Sequence, residues 1–175
     1  MPEKAAVTMR FTTIPFADDG DIPNSRFPLI VYEGAIDPNA GDPAAAFEAL
    51  FRRNGWGNGW RNGIYPFHHY HSTAHEVLGI AAGRATVRMG GEAGGRTLDV
   101  KACDALLIPA GVGHKRLSSE SGLLVIGAYP AGQSPDLLRE GAPHPDRIRA
   151  RIAAVPFPET DPVTGAAGPM WEAWR

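Results

Sequence analysis

A chain of 175 residues is long enough for one domain with a proper core. Hydrophobic residues make up 43% and charged residues 21%, with a formal net charge of -2. That balance speaks against a basic nucleic-acid-binding surface, and acidic tails and basic blocks are absent.

Cys103 is the one cysteine, so no internal disulfide and no oxidising compartment are implied. Met1-Pro2-Glu3-Lys4 leads into no apolar signal segment, and the longest apolar run, Leu123 to Tyr129, is too short to span a bilayer. A soluble cytoplasmic protein with no membrane contact is expected. Twenty-one glycines and 16 prolines, spread between short apolar runs, read as many turns between short strands. An all-β sandwich or barrel follows.

In chain order, Val7 to Ile14 alternates weakly and is read as a strand. Asp18 to Pro23 is a turn-rich loop, and Leu29 to Tyr32 a second strand. A helix starts at Asp42, a good N-cap, with Pro43 at the first helical position. Phe47, Leu50 and Phe51 form one apolar stripe on it. Arg52 and Arg53 suit its last turn, and Asn54-Gly55 ends it. Trp56 to Trp60 is expected as loop.

Short β-type runs follow at Tyr65 to Ser72, Glu76 to Ala81, Ala85 to Met89, Thr97 to Lys101, Ala105 to Pro109 and Leu123 to Tyr129. Gly90 to Gly95 is the plainest hairpin loop. A second short helix covers Asp146 to Ala154. Pro156 to Arg175 carries four prolines and two tryptophans and is expected to be an extended tail anchored by Met170, Trp171 and Trp174.

Six histidines occur, and four of them lie between Phe67 and Glu76. His69 and His71 are two apart, so on a strand they share a face, roughly 6.5–7 Å apart in rise. Two imidazoles so placed can converge on one ion. Glu76, after a turn, can add a carboxylate from a neighbouring strand, and His114 can close the set from another. Three imidazoles and a carboxylate suit one divalent transition metal ion, such as Fe, Mn, Ni or Zn.

The spacing from Gly63 through His69, Tyr70, His71 and Glu76 to Gly83 resembles the first cupin motif. Pro109-Ala110-Gly111-Val112-Gly113-His114 resembles the second. The second departs at two support positions: Cys103 stands where glycine is expected, and Ser118 where asparagine is expected. Cys103 puts the local turn geometry in question, because glycine there supplies a conformation that other residues resist. The wider wording is similar to that of the small bacterial YjlB-like single-domain cupins.

The resemblance implies a double-stranded β-helix, or jelly-roll barrel, with one or two short peripheral helices. It divides the one domain into N-terminal strands and helix (1–62), barrel core (63–130), and C-terminal helix and tail (131–175). It also implies a homodimer, and a metal site in the barrel formed by His69, His71, Glu76 and His114.

Other residues carry two readings each. Arg116, two after His114, could face inward and pair with a carboxylate or phosphate of a substrate, or be solvated where the strand bends. Lys115 should point outward. His68 and His75 are out of phase with the ligands and are read as surface or inter-strand histidines, with orientation of a ligand as the alternative. His144 is expected in an exposed loop. Trp56, Trp60 and Tyr65 are read as pins for the Gly-rich loop, with an aromatic pocket wall as the alternative. Cys103 is read as structural. A metal-dependent enzyme on a small organic substrate is the leading function, dioxygenase-like or isomerase- or decarboxylase-like. A non-enzymatic small-molecule binding or sensing module and a metal-free structural barrel are the alternatives.

Overall fold

Alternation along the middle of the chain becomes two antiparallel sheets facing each other. The computed structural model describes residues 9–143 and 145–175. Val7 and Thr8 of the first expected strand, and His144, lie outside the described residues. The elements run β1 (Arg10–Ile14), β2 (Leu29–Glu33), α1 (Pro43–Arg53), β3 (Trp56–Asn62), β4 (His69–Tyr70), β5 (Glu76–Ala82) and β6 (Arg84–Met89). They continue with β7 (Arg96–Lys101), β8 (Ala105–Ile108), β9 (His114–Ser119), β10 (Leu124–Pro130), β11 (Leu138–Arg139), α2 (Pro145–Ala153) and α3 (Pro169–Ala173).

One sheet has the order β1-β2-β8-β5-β10-β3, and the other β11-β4-β9-β6-β7. Every pairing is antiparallel. This is the jelly roll that the two motifs imply. Among the described residues, no helix is long and apolar enough to cross a membrane.

The period of two along β5 divides the core. Leu78 and Ile80 point into the barrel with Val87, Met89, Leu106 and Val125. Val77 and Ala81 point outward, beneath Phe47, Leu50 and Phe51 of α1. Gly79, between them, lets the helix approach: a Cβ there would stand 2.5 Å from Phe47 Cδ1. The helix has the expected cap, with Ala45 N–H donating to Asp42 Oδ1 at 3.1 Å.

Three expectations need correction. Trp56 to Trp60 is not loop but most of β3, the end strand of the six-stranded sheet. Its glycines carry no apolar alternation, so pairing with β10 decides its conformation. Of Tyr65 to Ser72, only β4 is strand. Pro66 lacks the donor a ladder needs, and the chain beyond His71 is held by side-chain bonds to Asp136. β9 is a full strand that the apolar runs did not mark, because its burial fades from His114 to Ser119.

The tail contains a short helix, α3, begun by Pro169. Met170 and Trp174 are buried against the outer face of the six-stranded sheet, and Trp171 is partly buried there.

Candidate metal centre

Both sheets deliver side chains to one point inside the barrel. His69 on β4 lies directly across from His114, the first residue of β9. Their ring centroids are 4.0 Å apart. His71 follows β4 as the chain turns, and its ring centroid is 5.6 Å from that of His114. Glu76 enters from the opposite sheet as the first residue of β5. One ring nitrogen from each of the three histidines lies within 4.8 Å of the others. Glu76 Oε1 is 3.4 Å from Nε2 of both His71 and His114. Ligands of one ion with bonds near 2.0–2.2 Å stand roughly 3–3.5 Å apart, so the carboxylate is at ligand spacing from both rings.

Main-chain carbonyls set the tautomers. The Nδ1 of His69 faces the Phe67 carbonyl at 3.1 Å, that of His71 the Asp136 carbonyl at 2.5 Å, and that of His114 the Val112 carbonyl at 3.1 Å. A carbonyl only accepts, so each Nδ1 carries a proton and donates it, and in the neutral ring each Nε2 keeps its lone pair. His71 Nε2 is buried and has no hydrogen-bond partner. In the neutral ring its lone pair confronts the carboxylate oxygen of Glu76. A cation between the two satisfies both, so the donor set fits a divalent ion.

The electrostatics agree. Burial, helped by the neighbouring His114 and His71 rings, pushes His69 down to about 3, so it stays neutral. Burial alone would raise Glu76, but the adjacent His71 and His114 imidazoles hold it well below the usual carboxylate range. Burial lowers His71, and Glu76 more than reverses this. The ionised Glu76 carboxylate thus draws positive charge to the site, a charge that a metal ion supplies in place of a proton.

All four side chains line a cavity of about 820 Å³. Trp60, Ile64, Leu78, Leu124 and Tyr129 contribute apolar wall, and Tyr65 stands at its exposed side. Arg116 lines the same cavity, in phase with His114. Its Nε–H donates to the Ile64 carbonyl at 3.0 Å and its terminal nitrogen to Ser119 Oγ at 3.0 Å. None of the ion pairs among the described residues includes Arg116. Lys115 points away from the cavity, to Glu92 Oε1 at 2.9 Å.

Trp56 and Trp60 part company. Trp56 is core, its indole donating to the Thr160 carbonyl at 3.0 Å, while Trp60 and Tyr65 form wall. His68 and His75 face away from the ligands as their phase requires, yet neither is on the surface. His75 accepts from Ala110 N–H at 2.9 Å and packs beside Trp174 under the tail. His68 Nε2 accepts from Gly91 N–H at 3.1 Å, so its Nδ1 carries the proton and donates to Glu92 at 3.2 Å. It therefore pins the Gly90–Gly95 hairpin and has no lone pair left for an ion, although Glu92 and Glu140 stand near.

Two participants escaped the sequence. Tyr129 was readable, since it continues the inward series Val125, Gly127, Tyr129. Asp136 was not, because its partners at Ser72 and His71 are more than sixty residues away in the chain.

No protein-family model matches the chain. Its likenesses to solved structures are weak. Acireductone dioxygenase from Bacillus anthracis, with a cadmium ion in its active centre, is 15% identical over 51% of this chain and 61% of its own, with a TM-score of 0.38. RmlC from Streptococcus suis, in complex with dTDP-D-xylose, is 12% identical over 71% of this chain and 72% of its own, with a TM-score of 0.37. An oxalate decarboxylase of Bacillus subtilis with Mn(II) centres is 16% identical over 68% of this chain but only 29% of its own, with a TM-score of 0.36. The chain thus spans less than two thirds of the dioxygenase and less than a third of the decarboxylase.

A likeness in sequence is far stronger. The protein YjlB of Bacillus subtilis (strain 168), described as uncharacterized, is 43% identical over 162 residues, covering 91% of this chain and 93% of its own. The chain belongs to the family of YjlB.

Proposed function

We propose that this protein is a metal-dependent enzyme acting on a small organic substrate in the barrel. His69, His71, Glu76 and His114 hold one divalent transition metal ion, drawn from Fe, Mn, Ni and Zn. The observation that carries the reading is the buried His71 Nε2, which has no hydrogen-bond partner and lies 3.4 Å from the Glu76 carboxylate. Such an ion supplies a Lewis acid for a substrate oxygen and, if iron, a partner for dioxygen.

The chain's own residues do the rest. The carbonyls of Phe67, Val112 and Asp136 keep three imidazoles in the ligand tautomer. The apolar wall excludes water around a bound ring or chain. Arg116 has N–H groups left after Ile64 and Ser119 are served, and these bind a carboxylate or phosphate of the substrate. The reaction is dioxygenation, or else isomerisation or decarboxylation. The homodimer implied by the resemblance goes with this reading and is measurable by light scattering as twice the chain mass.

Protein purified without chelator is expected to carry about one metal per chain by elemental analysis. Metal in large excess over its dissociation constant should stabilise it by about 4 kcal/mol, reversibly on chelation. His71→Ala and Glu76→Ala should abolish that gain. Substoichiometric metal together with no thermal shift from Fe(II), Mn(II), Ni(II) or Zn(II) would overturn the metal reading. Oxygen uptake by the iron-loaded protein with catechol-like, thiol or keto-acid substrates separates dioxygenation from the oxygen-independent reactions. Tight binding with no turnover under any metal replaces the enzyme with a binding module.

A further inference from the structure

The β10 strand alternates like β5. Ile126 and Ala128 face outward under α1, and Val125, Gly127 and Tyr129 face the barrel interior. At Gly127 the strand is bare because the Trp60 indole lies on it: a Cβ there would stand 2.1 Å from Cε2 of that ring. The indole reaches this place through a bulge. Gly127 pairs with Trp60 and Tyr129 with Gly57, so two steps on β10 match three on β3, and Asn58 in between takes φ 51. A bulge re-aims the side chains that follow it. Here it leaves Trp56 in the outer core and turns Trp60 into the cavity.

The indole Nε1–H then donates to the Tyr129 hydroxyl oxygen at 2.8 Å. With that lone pair taken, the phenol's own proton points elsewhere. Tyr129 is buried and stands edge-on to the His71 ring, with centroids 6.3 Å apart and planes at 87°. A phenol keeps its proton at neutral pH, so it remains a donor. The three imidazoles each have a main-chain acceptor at Nδ1. Glu76, the one anionic group of the set, is next in register: Gly127 pairs with Leu78 and Ala128 with Val77, so Tyr129 and Glu76 follow side by side on the inward face and line the same cavity.

We infer that Tyr129, oriented by Trp60 across Gly127, donates its hydroxyl proton to the Glu76 carboxylate and fixes that carboxylate as a metal ligand. The inference rests on the metal reading above. Tyr129 acts through Glu76 and is a positioning residue. A phenol donor holds the carboxylate in one rotamer and draws off part of its charge. Support of this kind is worth 10- to 100-fold in metal affinity in related settings.

Titration of the metal-free full chain with Co(II), followed by calorimetry and by the visible absorption of the bound ion, tests it. Tyr129→Phe should weaken Co(II) binding about tenfold and shift the ligand-field bands, and Trp60→Phe should weaken it in the same direction by less. In a Glu76→Gln background, Tyr129→Phe should cost less than about twofold, because the partner of the hydroxyl has lost its charge. Wild-type affinity and an unchanged spectrum in Tyr129→Phe would overturn the inference, as would the full tenfold loss persisting beside Glu76→Gln. If the wild-type protein itself binds no Co(II), the metal reading falls first and Tyr129 loses its role with it.

Discussion

At Cys103 the backbone adopts φ 78, in the left-handed region. Two main-chain bonds hold it there: its N–H donates to the Ile80 carbonyl at 2.9 Å, and its carbonyl accepts from Ala35 N–H at 2.8 Å. An L side chain in this region costs roughly 1–2 kcal/mol. Cys103→Gly should therefore raise stability by about 1 kcal/mol in urea unfolding, with the metal content held fixed; a loss of stability would mean that the side chain contributes more than the strain costs. This strain was legible in advance, because the second motif calls for glycine at that position. Spacing and the two motifs likewise singled out His69, His71, Glu76 and His114, whose side chains meet inside the barrel. Phase also told that His75 turns away from Glu76. It could not tell what His75 meets, since the outer face of β5 is covered by Trp174, almost a hundred residues further on.

Elements with strong local signals were read well, and those made by distant partners were not. The first helix has its cap, its proline and its apolar stripe within a dozen residues. β3 has only glycine, asparagine and tryptophan to offer, and exists through β10. The strap after β10 is the clearest case of distant construction. Ser72 N–H and Ser72 Oγ donate to the two carboxylate oxygens of Asp136 at 2.6 and 2.5 Å, and His75 N–H donates to Gln133 Oε1 at 3.0 Å. The strap thereby fastens the turn between His71 and Glu76, and Pro135 to Leu137 form one side of the cavity. Asp136→Ala should cost about 2 kcal/mol, because a buried amide and a hydroxyl lose a charged acceptor. Amide exchange at Ser72 should quicken in step, and unchanged exchange there would show that the turn stands without the strap.

The whole molecule is closed by its C-terminal segment. Asp161 is fully buried and accepts from Tyr32 Oη at 2.6 Å and from the amides of Val163, Thr164 and Met170 at 2.8, 3.0 and 3.1 Å. Trp174 Nε1–H donates to the Pro28 carbonyl at 2.9 Å, and Asn54 Nδ2–H to the Pro162 carbonyl at 2.8 Å. The tail is thus bonded to β2, to the end of α1 and to the loop before β2. Asp161→Ala removes one acceptor group from four donors and should cost roughly 3–5 kcal/mol in guanidinium unfolding. Tyr32→Phe, which removes a single donor, should cost only about 1–2 kcal/mol. Equal losses in the two variants would place the stabilisation in the tyrosine alone. None of this was legible in the sequence beyond the tryptophans as anchors, because proline-rich composition hides how a segment is held.

The three imidazoles take their orientation from main-chain carbonyls at Phe67, Val112 and Asp136. Every amino acid carries that oxygen, so a substitution at those positions changes the side chain and leaves the acceptor in place. The histidines are thereby insulated from drift in their surroundings. The side chains at Ile64, Leu78, Arg116 and Leu124 have no such duty toward the imidazoles. Descendants of this barrel are free to exchange them, and with them the molecule that enters, while inheriting the same three rings.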